Sequence, residues 1–231
     1  MTAARKAPEC PLVIVKDTRE PDEAAHDHPD TVFRPRIFAP GIAKGTPYAD
    51  WPRVEVPVVR ETLPEGDYSL PGFAGRVAVE RKTLEDLLNT LTGTTKNSVG
   101  EVRHNKDRFR AELERVYRGS YAYFGIVVES SVAGLYAEAS ARFARYGKTF
   151  DPPRILEMLD SYEVDFGIPT KWCGTKGAAE LRVGYVLSRI WSQATGGEKA
   201  RGARKRGYAI PWLDALVQPV CPGEVEAKGA A

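Results

Sequence analysis

The apolar positions along this chain change period near residue 83. Before it, short runs rich in β-branched residues alternate with Gly, Pro and Asp breaks. "PLVIVK" (Pro11 to Lys16) reads as a buried strand. "VEVPVVRE" (Val54 to Glu61), "GDYSLPG" (Gly66 to Gly72) and "GRVAVERK" (Gly75 to Lys82) read as further strands, two of them joined by the turn "TLPEG". Pro21 to Asp50 has little periodicity and reads as a long loop with room for a short helix or strand, of the length that often goes with function.

After residue 83 the spacing becomes helical. Leu84, Leu87, Leu88 and Leu91 share one face of a helix over Thr83 to Leu91, with Thr83 as its N-cap. Phe109, Leu113 and Val116 stripe a second helix over Asn105 to Ser120, which Gly119 stops. The polar stretch between them reads as a loop. "YAYFGIVVE" (Tyr121 to Glu129) is continuously apolar, as a central strand covered on both faces would be. A helix over "PRILEMLDSYEVDF", a short strand at "IPTKWC" and a long helix over "TKGAAELRVGYVLSRIWSQA" follow. Strands first, then two helices, strand, helix, strand and helix, predict an α/β fold: a mixed central sheet flanked by helices. One domain is expected over residues 1–195, then a basic, partly flexible tail over 196–231.

Composition narrows the class. The chain has 231 residues, 42% hydrophobic and 28% charged, enough for a sizeable core. No apolar run approaches the ~20 residues of a membrane span. "MTAARKAPEC" lacks a secretory signal's apolar stretch, so an intracellular place is expected, cytoplasmic or nucleoid-associated, or nuclear in a eukaryote. Cys10, Cys173 and Cys221 are far apart, which argues against a zinc site or a disulfide framework. His26 and His28 sit in a Pro/Asp-rich run without a third ligand nearby and read as a solvated loop. Net charge is +2, but "RHNKDRFR" (Arg103 to Arg110), "ARFARYGK" (Ala141 to Lys148) and "EKARGARKRG" (Glu198 to Gly207) are locally basic. Such runs can meet phosphates, or simply be solvated.

The candidate chemistry lies at strand ends. Glu80 and Lys82 are i and i+2 on an extended segment, so they share a face. Asp67 lies thirteen residues before Glu80, about the length of a hairpin, which would set the two carboxylates side by side. Asp17 closes the first strand. Carboxylates converging in a crevice repel one another unless a cation sits among them, and oxygen donors suit Mg²⁺ or Mn²⁺. A neighbouring lysine can orient a water and offset charge on a phosphate. By chance alone an ExK triplet is common; here it terminates an apolar strand and a helix starts at once.

"DTRE" (Asp17 to Glu20), "GDY" (Gly66 to Tyr68), "VERKTLED" (Val79 to Asp86), "RFRAEL" (Arg108 to Leu113) and "GIVVE" (Gly125 to Glu129) occur in that order. Together they resemble the nuclease domain of the XPF-type structure-specific endonucleases, a branch of the restriction-endonuclease-like PD-(D/E)xK fold. The resemblance covers about Pro11 to Thr195, and its GD, ERK and following Asp fit without mismatch. It implies a Mg²⁺- or Mn²⁺-dependent DNA endonuclease acting at branched or single/double-strand junctions, in repair or recombination. It implies that Asp17, Asp67 and Glu80 bind metal, with the Arg81 carbonyl as a backbone ligand. Lys82 would be the catalytic lysine and Arg81 would contact phosphate or hold the acidic cluster. Arg19 and Glu20 would brace the site, and Asp86 would orient Lys82 or Arg81 from outside.

The chain departs from the family pattern twice. Eukaryotic members carry a tandem helix-hairpin-helix module after this domain, and no such Gly-hairpin pairs appear after Thr195. The linker between the first two helices is also longer and more polar than expected. Its Lys96, with Arg103, Lys106 and Arg108, is a candidate DNA contact; a solvated loop is the other reading. A homodimer or heterodimer is the family habit. The rival from another class is a non-catalytic DNA-binding or scaffold subunit, which the intact acidic set disfavours. Tyr68, Trp172 and Trp191 read as packed, and Trp51 and Trp212 as surface anchors; Glu112 could assist the metal site, but a surface role is the preferred reading.

Overall fold

A computed structural model describes residues 12–20, 33–38, 46–47, 50–96, 100–119, 121–147 and 149–195. The His26/His28 segment, Cys10, Cys221, Trp212 and the basic tail over 196–231 lie outside them. The described strands are β1 (Ile14–Asp17), β2 (Arg36–Phe38), β3 (Arg53–Glu55), β4 (Val58–Glu61), β5 (Tyr68–Ser69), β6 (Val77–Lys82), β7 (Thr94–Lys96), β8 (Val102–His104), β9 (Tyr123–Val128) and β10 (Thr170–Trp172). The helices are α1 (Leu84–Thr92), α2 (Asn105–Arg118), α3 (Val132–Tyr146), α4 (Pro152–Phe166) and α5 (Lys176–Ala194).

Six strands form one mixed sheet in the order β10-β9-β6-β5-β1-β4. β6, β9 and β10 run parallel, β5 is antiparallel to both its neighbours, and β1 runs parallel to β4. Helices cover both faces. On one, Ala179, Val183, Leu187 and Ile190 of α5 pack on Val77, Val79 and Val127. On the other, α1, α2 and α4 bury Leu87, Leu113 and Leu159 against Ala78, Phe124, Ile126 and Val128. This is the α/β class that the order of apolar runs predicts, with β9 buried on both faces as its sequence implies.

Several elements differ from the sequence reading. The expected strand Val54 to Glu61 breaks into β3 and β4, in different sheets. Pro57 sits at the break, has no N–H for a ladder and gives its carbonyl to Ile14 at 2.9 Å. The expected strand Gly66 to Gly72 shrinks to Tyr68–Ser69, because the chain turns at once (Phe73 N–H to Leu70 O, 2.9 Å). α3 is absent from the sequence reading: only Leu135 and Ala139 are buried along its fifteen residues, so no apolar stripe marks it. The stretch between α1 and α2 holds a small antiparallel hairpin, β7–β8, rather than an unstructured loop.

Gly184 is where α5 meets β2. A Cβ there would lie 2.0 Å from the Arg36 carbonyl oxygen, so only glycine lets the helix seat on that backbone.

Candidate active site

Glu80, Arg81 and Lys82 are the last residues of β6, and the pleat sends them to alternate faces. Glu80 and Lys82 follow Ala78 toward α1 and α2, where Lys82 Nζ stands 5.3 Å from the Phe109 ring centroid. Arg81 follows Val77 and Val79 to the opposite face and lies 4.9 Å from the Phe33 ring. There Arg81 Nε donates to Glu129 Oε1 at 2.6 Å and Nη1 reaches Glu20 Oε2 at 3.5 Å. The middle residue of the triplet is thus a brace beneath the sheet.

Asp67 arrives by the antiparallel pairing of β5 with β6. Its N–H donates to the Val79 carbonyl at 3.0 Å, and the Arg81 N–H donates to Asp67 Oδ2 at 2.6 Å. The carboxylate therefore completes the strand ladder where β5 has just begun. Gly66 permits this approach: its φ is +79°, and a Cβ would lie 2.8 Å from Ala78 Cβ and 3.3 Å from the Phe124 ring. Gly66→Ala is expected to destabilise the fold by about 2 kcal/mol, the usual scale for a clash added to a strained φ. Chemical denaturation measures it.

Lys82 holds the next contacts. Its Nζ is 2.7 Å from Glu80 Oε1 and 3.1 Å from Asp86 Oδ2. Asp86 sits in the first turn of α1, and its N–H donates to the Thr83 hydroxyl at 3.1 Å, the N-cap that the sequence predicts. Burial would lower the Lys82 pKa, but Glu80 and Asp86 outweigh it and hold the ammonium protonated well beyond the neutral range. The carboxylates shift the other way. Burial, then the charges of Glu80 and Glu20, push Asp67 well above the usual carboxylate range. Burial likewise raises Glu80, against the opposing pull of Lys82.

Asp17 lies beside Asp67, whose carbonyl accepts its N–H at 2.9 Å. Its carboxylate is occupied by Arg19, through the backbone N–H at 3.0 Å, Nε at 2.8 Å and Nη2. The same guanidinium donates to the Leu63 carbonyl at 2.8 Å. Burial alone would raise Asp17; Arg19 overcomes it and keeps Asp17 below the ordinary value. The structure thus groups Asp67, Glu80, Lys82 and Asp86, sets Glu20 with Arg81 on the other face, and leaves Asp17 paired with Arg19. Among the described residues no three His, Cys, Asp or Glu side chains converge as a metal-binding group.

Lys96 and Arg103 stand on the β7–β8 hairpin, and Lys106 and Arg108 on the first turn of α2, all exposed. Arg103 Nη2 is 3.3 Å from Glu101. Tyr68 is fully buried, and Trp172 and Trp191 pack against the two cores. Trp51 is anchored within the chain, donating to the Thr46 carbonyl at 2.9 Å with its ring edge-on to Phe38.

Glu112 lies nearer the acidic cluster than its preferred sequence reading, a surface carboxylate, implies. It is half-buried, and burial followed by the Glu80 charge raises its pKa to about 7. The signal was its spacing: Phe109 and Glu112 are i and i+3, so they share a face, and Phe109 covers Lys82. Glu129 is also central, as the partner of Arg81, although it looks like an ordinary strand end.

Two solved structures resemble this one in outline. XPF from Aeropyrum pernix, in complex with DNA, aligns with a TM-score of 0.46 at 18% identity, over 79% of this chain and 66% of that one. A second structure, XPF from Aeropyrum pernix, aligns with a TM-score of 0.43 at 16% identity, over 76% of this chain and 60% of that one. The chain thus spans less than two thirds of the length of either. No curated protein matches the sequence. The ERCC4 domain matches residues 48–180, a span that holds Asp67, Glu80, Lys82 and Asp86 and more than half of the chain. On that match, and with the GD and ERK residues meeting at one strand end, the chain belongs to the ERCC4-domain family.

Proposed function

We propose that this chain is a divalent-metal-dependent DNA endonuclease that hydrolyses phosphodiester bonds at branched or single/double-strand junctions. One observation carries the chemistry: at the end of β6 the half-buried Asp67 and the buried Glu80 are brought together by the β5–β6 pairing, with the Lys82 ammonium 2.7 Å from Glu80 and 3.1 Å from Asp86. Family membership supports DNA as the substrate.

The donor set fits a hard cation. Asp67 and Glu80 offer oxygen ligands, only Glu80 having a cation, Lys82, directly against it, and Mg²⁺ commonly uses only one or two carboxylates and fills its sphere with water and phosphate oxygens. Asp67 and Glu80 would hold the ion; Asp17 would join only by giving up Arg19. Bound there, Mg²⁺ or Mn²⁺ would polarise the phosphodiester and acidify a water.

The chain's own residues supply the rest. Lys82 remains protonated, so it donates to the attacking water or a phosphate oxygen rather than removing a proton. Asp86 and Phe109 fix where its ammonium points. Arg81 anchors the strand end through Glu129 and Glu20, without reaching the reacting face. Lys96, Arg103, Lys106 and Arg108 would meet the phosphates of a DNA arm.

The test is a panel of flap, fork, Holliday-junction, duplex and RNA substrates with Mg²⁺, Mn²⁺ or EDTA. Metal-dependent cuts near a junction are expected. Binding without cleavage in either metal would make the chain a non-catalytic subunit instead.

A further inference from the structure

The exposed end of α3 plays no part in the chemistry above. Helix α3 buries only Leu135 and Ala139, and its last turn leaves Phe143 62% and Tyr146 65% exposed. Phe143 and Tyr146 are i and i+3 on the helix and so share its surface. Arg145 lies 5.7 Å from the Tyr146 ring, and Arg142 lies 5.8 Å from the ring of Phe150.

Arg142 and Tyr146 both line two clefts of about 540 and 500 Å³. The first reaches Leu84 and Glu85, which open α1 just beyond Lys82. The second reaches Lys106 of α2 and Arg154 of α4. The two clefts therefore adjoin at Arg142 and Tyr146 and form one groove along the end of α3, beside the start of α1. Its cations outnumber its carboxylates (Glu85, Glu138 and Asp151) by only one. Charge alone would bind a backbone weakly here; exposed rings beside guanidinium groups offer stacking instead.

We propose that this groove binds single-stranded DNA, with Tyr146 in its lining and Phe143 exposed just outside it as a stacking platform for unpaired bases, and Arg142, Arg145, Arg154 and Lys106 along the phosphates. Rings stack on any unpaired base, whereas the bases of a duplex are closed to them. Leu84 and Glu85, at the edge of the groove, follow Lys82 by two and three residues, so an unpaired arm of a junction could run from the cut into it. The proposal rests on the reading of the acidic site as a DNA nuclease, and deepens it.

The test is fluorescence anisotropy of the full chain in EDTA, with a labelled oligo-dT and a matched duplex. F143A/Y146A is expected to weaken oligo-dT binding roughly tenfold or more, the scale of lost base stacking, with duplex binding within twofold. Tyr146→Phe, which keeps the ring, should bind as the parent does, and Tyr146→Leu should not. Equal losses on both ligands, or unchanged oligo-dT binding, would overturn the proposal. So would a parent protein that does not bind oligo-dT, or an altered sedimentation mass with unaltered DNA binding, which would make the rings a protein interface. Failure of the nuclease reading would appear separately, as no cleavage of any DNA in Mn²⁺, and leaves the anisotropy to decide the groove.

Discussion

Asp67→Asn should abolish cleavage and yet make the metal-free protein more stable. The amide cannot supply the second negative charge a cation needs, so turnover should fall at least about a thousandfold, the scale on which loss of a main electrostatic contributor acts. Its oxygen can still accept the Arg81 N–H, so the strand end stays closed. What disappears is a half-buried carboxylate whose ionisation is opposed by desolvation, Glu80 and Glu20. A gain of about 1 kcal/mol is expected near neutral pH, which for a chain of this size is roughly 2–4 °C in Tm. The sign follows from linkage. Asp67, Glu80 and Glu112 all have folded pKa values above their unfolded ones. The folded state therefore binds more protons between about pH 4 and 7, and the metal-free protein loses stability as pH rises through that window. Asp67→Asn should flatten that slope, and should abolish the Tm increase that saturating Mn²⁺ gives the parent. Thermal melts against pH and metal check both. A variant that loses stability, or still melts higher in Mn²⁺, would refute the assignment. Asp67→Ala would not separate the effects, because it also orphans the Arg81 N–H.

Lys82→Ala should abolish cleavage too, but with the opposite effect on the fold. Glu80 and Lys82 have side chains only 8% and 11% exposed, and they face each other at 2.7 Å. Removing the ammonium leaves a buried carboxylate without its cation, a change that costs about 3 kcal/mol or more when a buried pair is broken. The deficit should shrink as pH falls. Without Lys82 the folded pKa of Glu80 rises further, so protonation on acidification recovers stability, beginning below that raised value. Lys82→Met should recover part of the packing against Phe109 without recovering activity. Melts at pH 5 and pH 8 distinguish this from simple loss of contact: a deficit of equal size at both would exclude the charge argument. Normal cleavage by Lys82→Ala would sink the catalytic reading altogether.

Much of this site is legible in the sequence because its parts are local. A strand that ends in Glu-x-Lys puts both side chains on one face by geometry alone, and Thr83 begins a helix at once. Asp67 is legible through a motif and a plausible hairpin length, although the pairing that delivers it is much shorter than the expected strand. What the sequence conceals is what depends on distant packing. Arg81 reads equally as a phosphate contact or as a holder of the acidic cluster, and only the pleat, which carries it to Glu129 and Glu20 on the other side, separates the two. Glu112 looks like a surface residue until Phe109, one helical turn away, is seen to cover Lys82. Asp17 looks free to bind a cation because nothing in "DTRE" says that Arg19 turns back on it. Helix α3 escapes notice because it buries too little to leave a stripe.

The alternation at the end of β6 has one more effect, on misfolding. Were β6 to slide by one residue along β9, every side chain would change faces. Glu80 and Lys82 would then enter the layer under α5 together, away from Asp86 and Phe109, and Arg81 would be forced between α1 and α2 without Glu129. An apolar strand of valines and alanine alone would tolerate such a slip cheaply. Three charges with partners on specified sides do not. The triplet that serves the chemistry therefore also proofreads the strand's alignment, and errors in assembling this sheet are corrected by the same ions that make it useful.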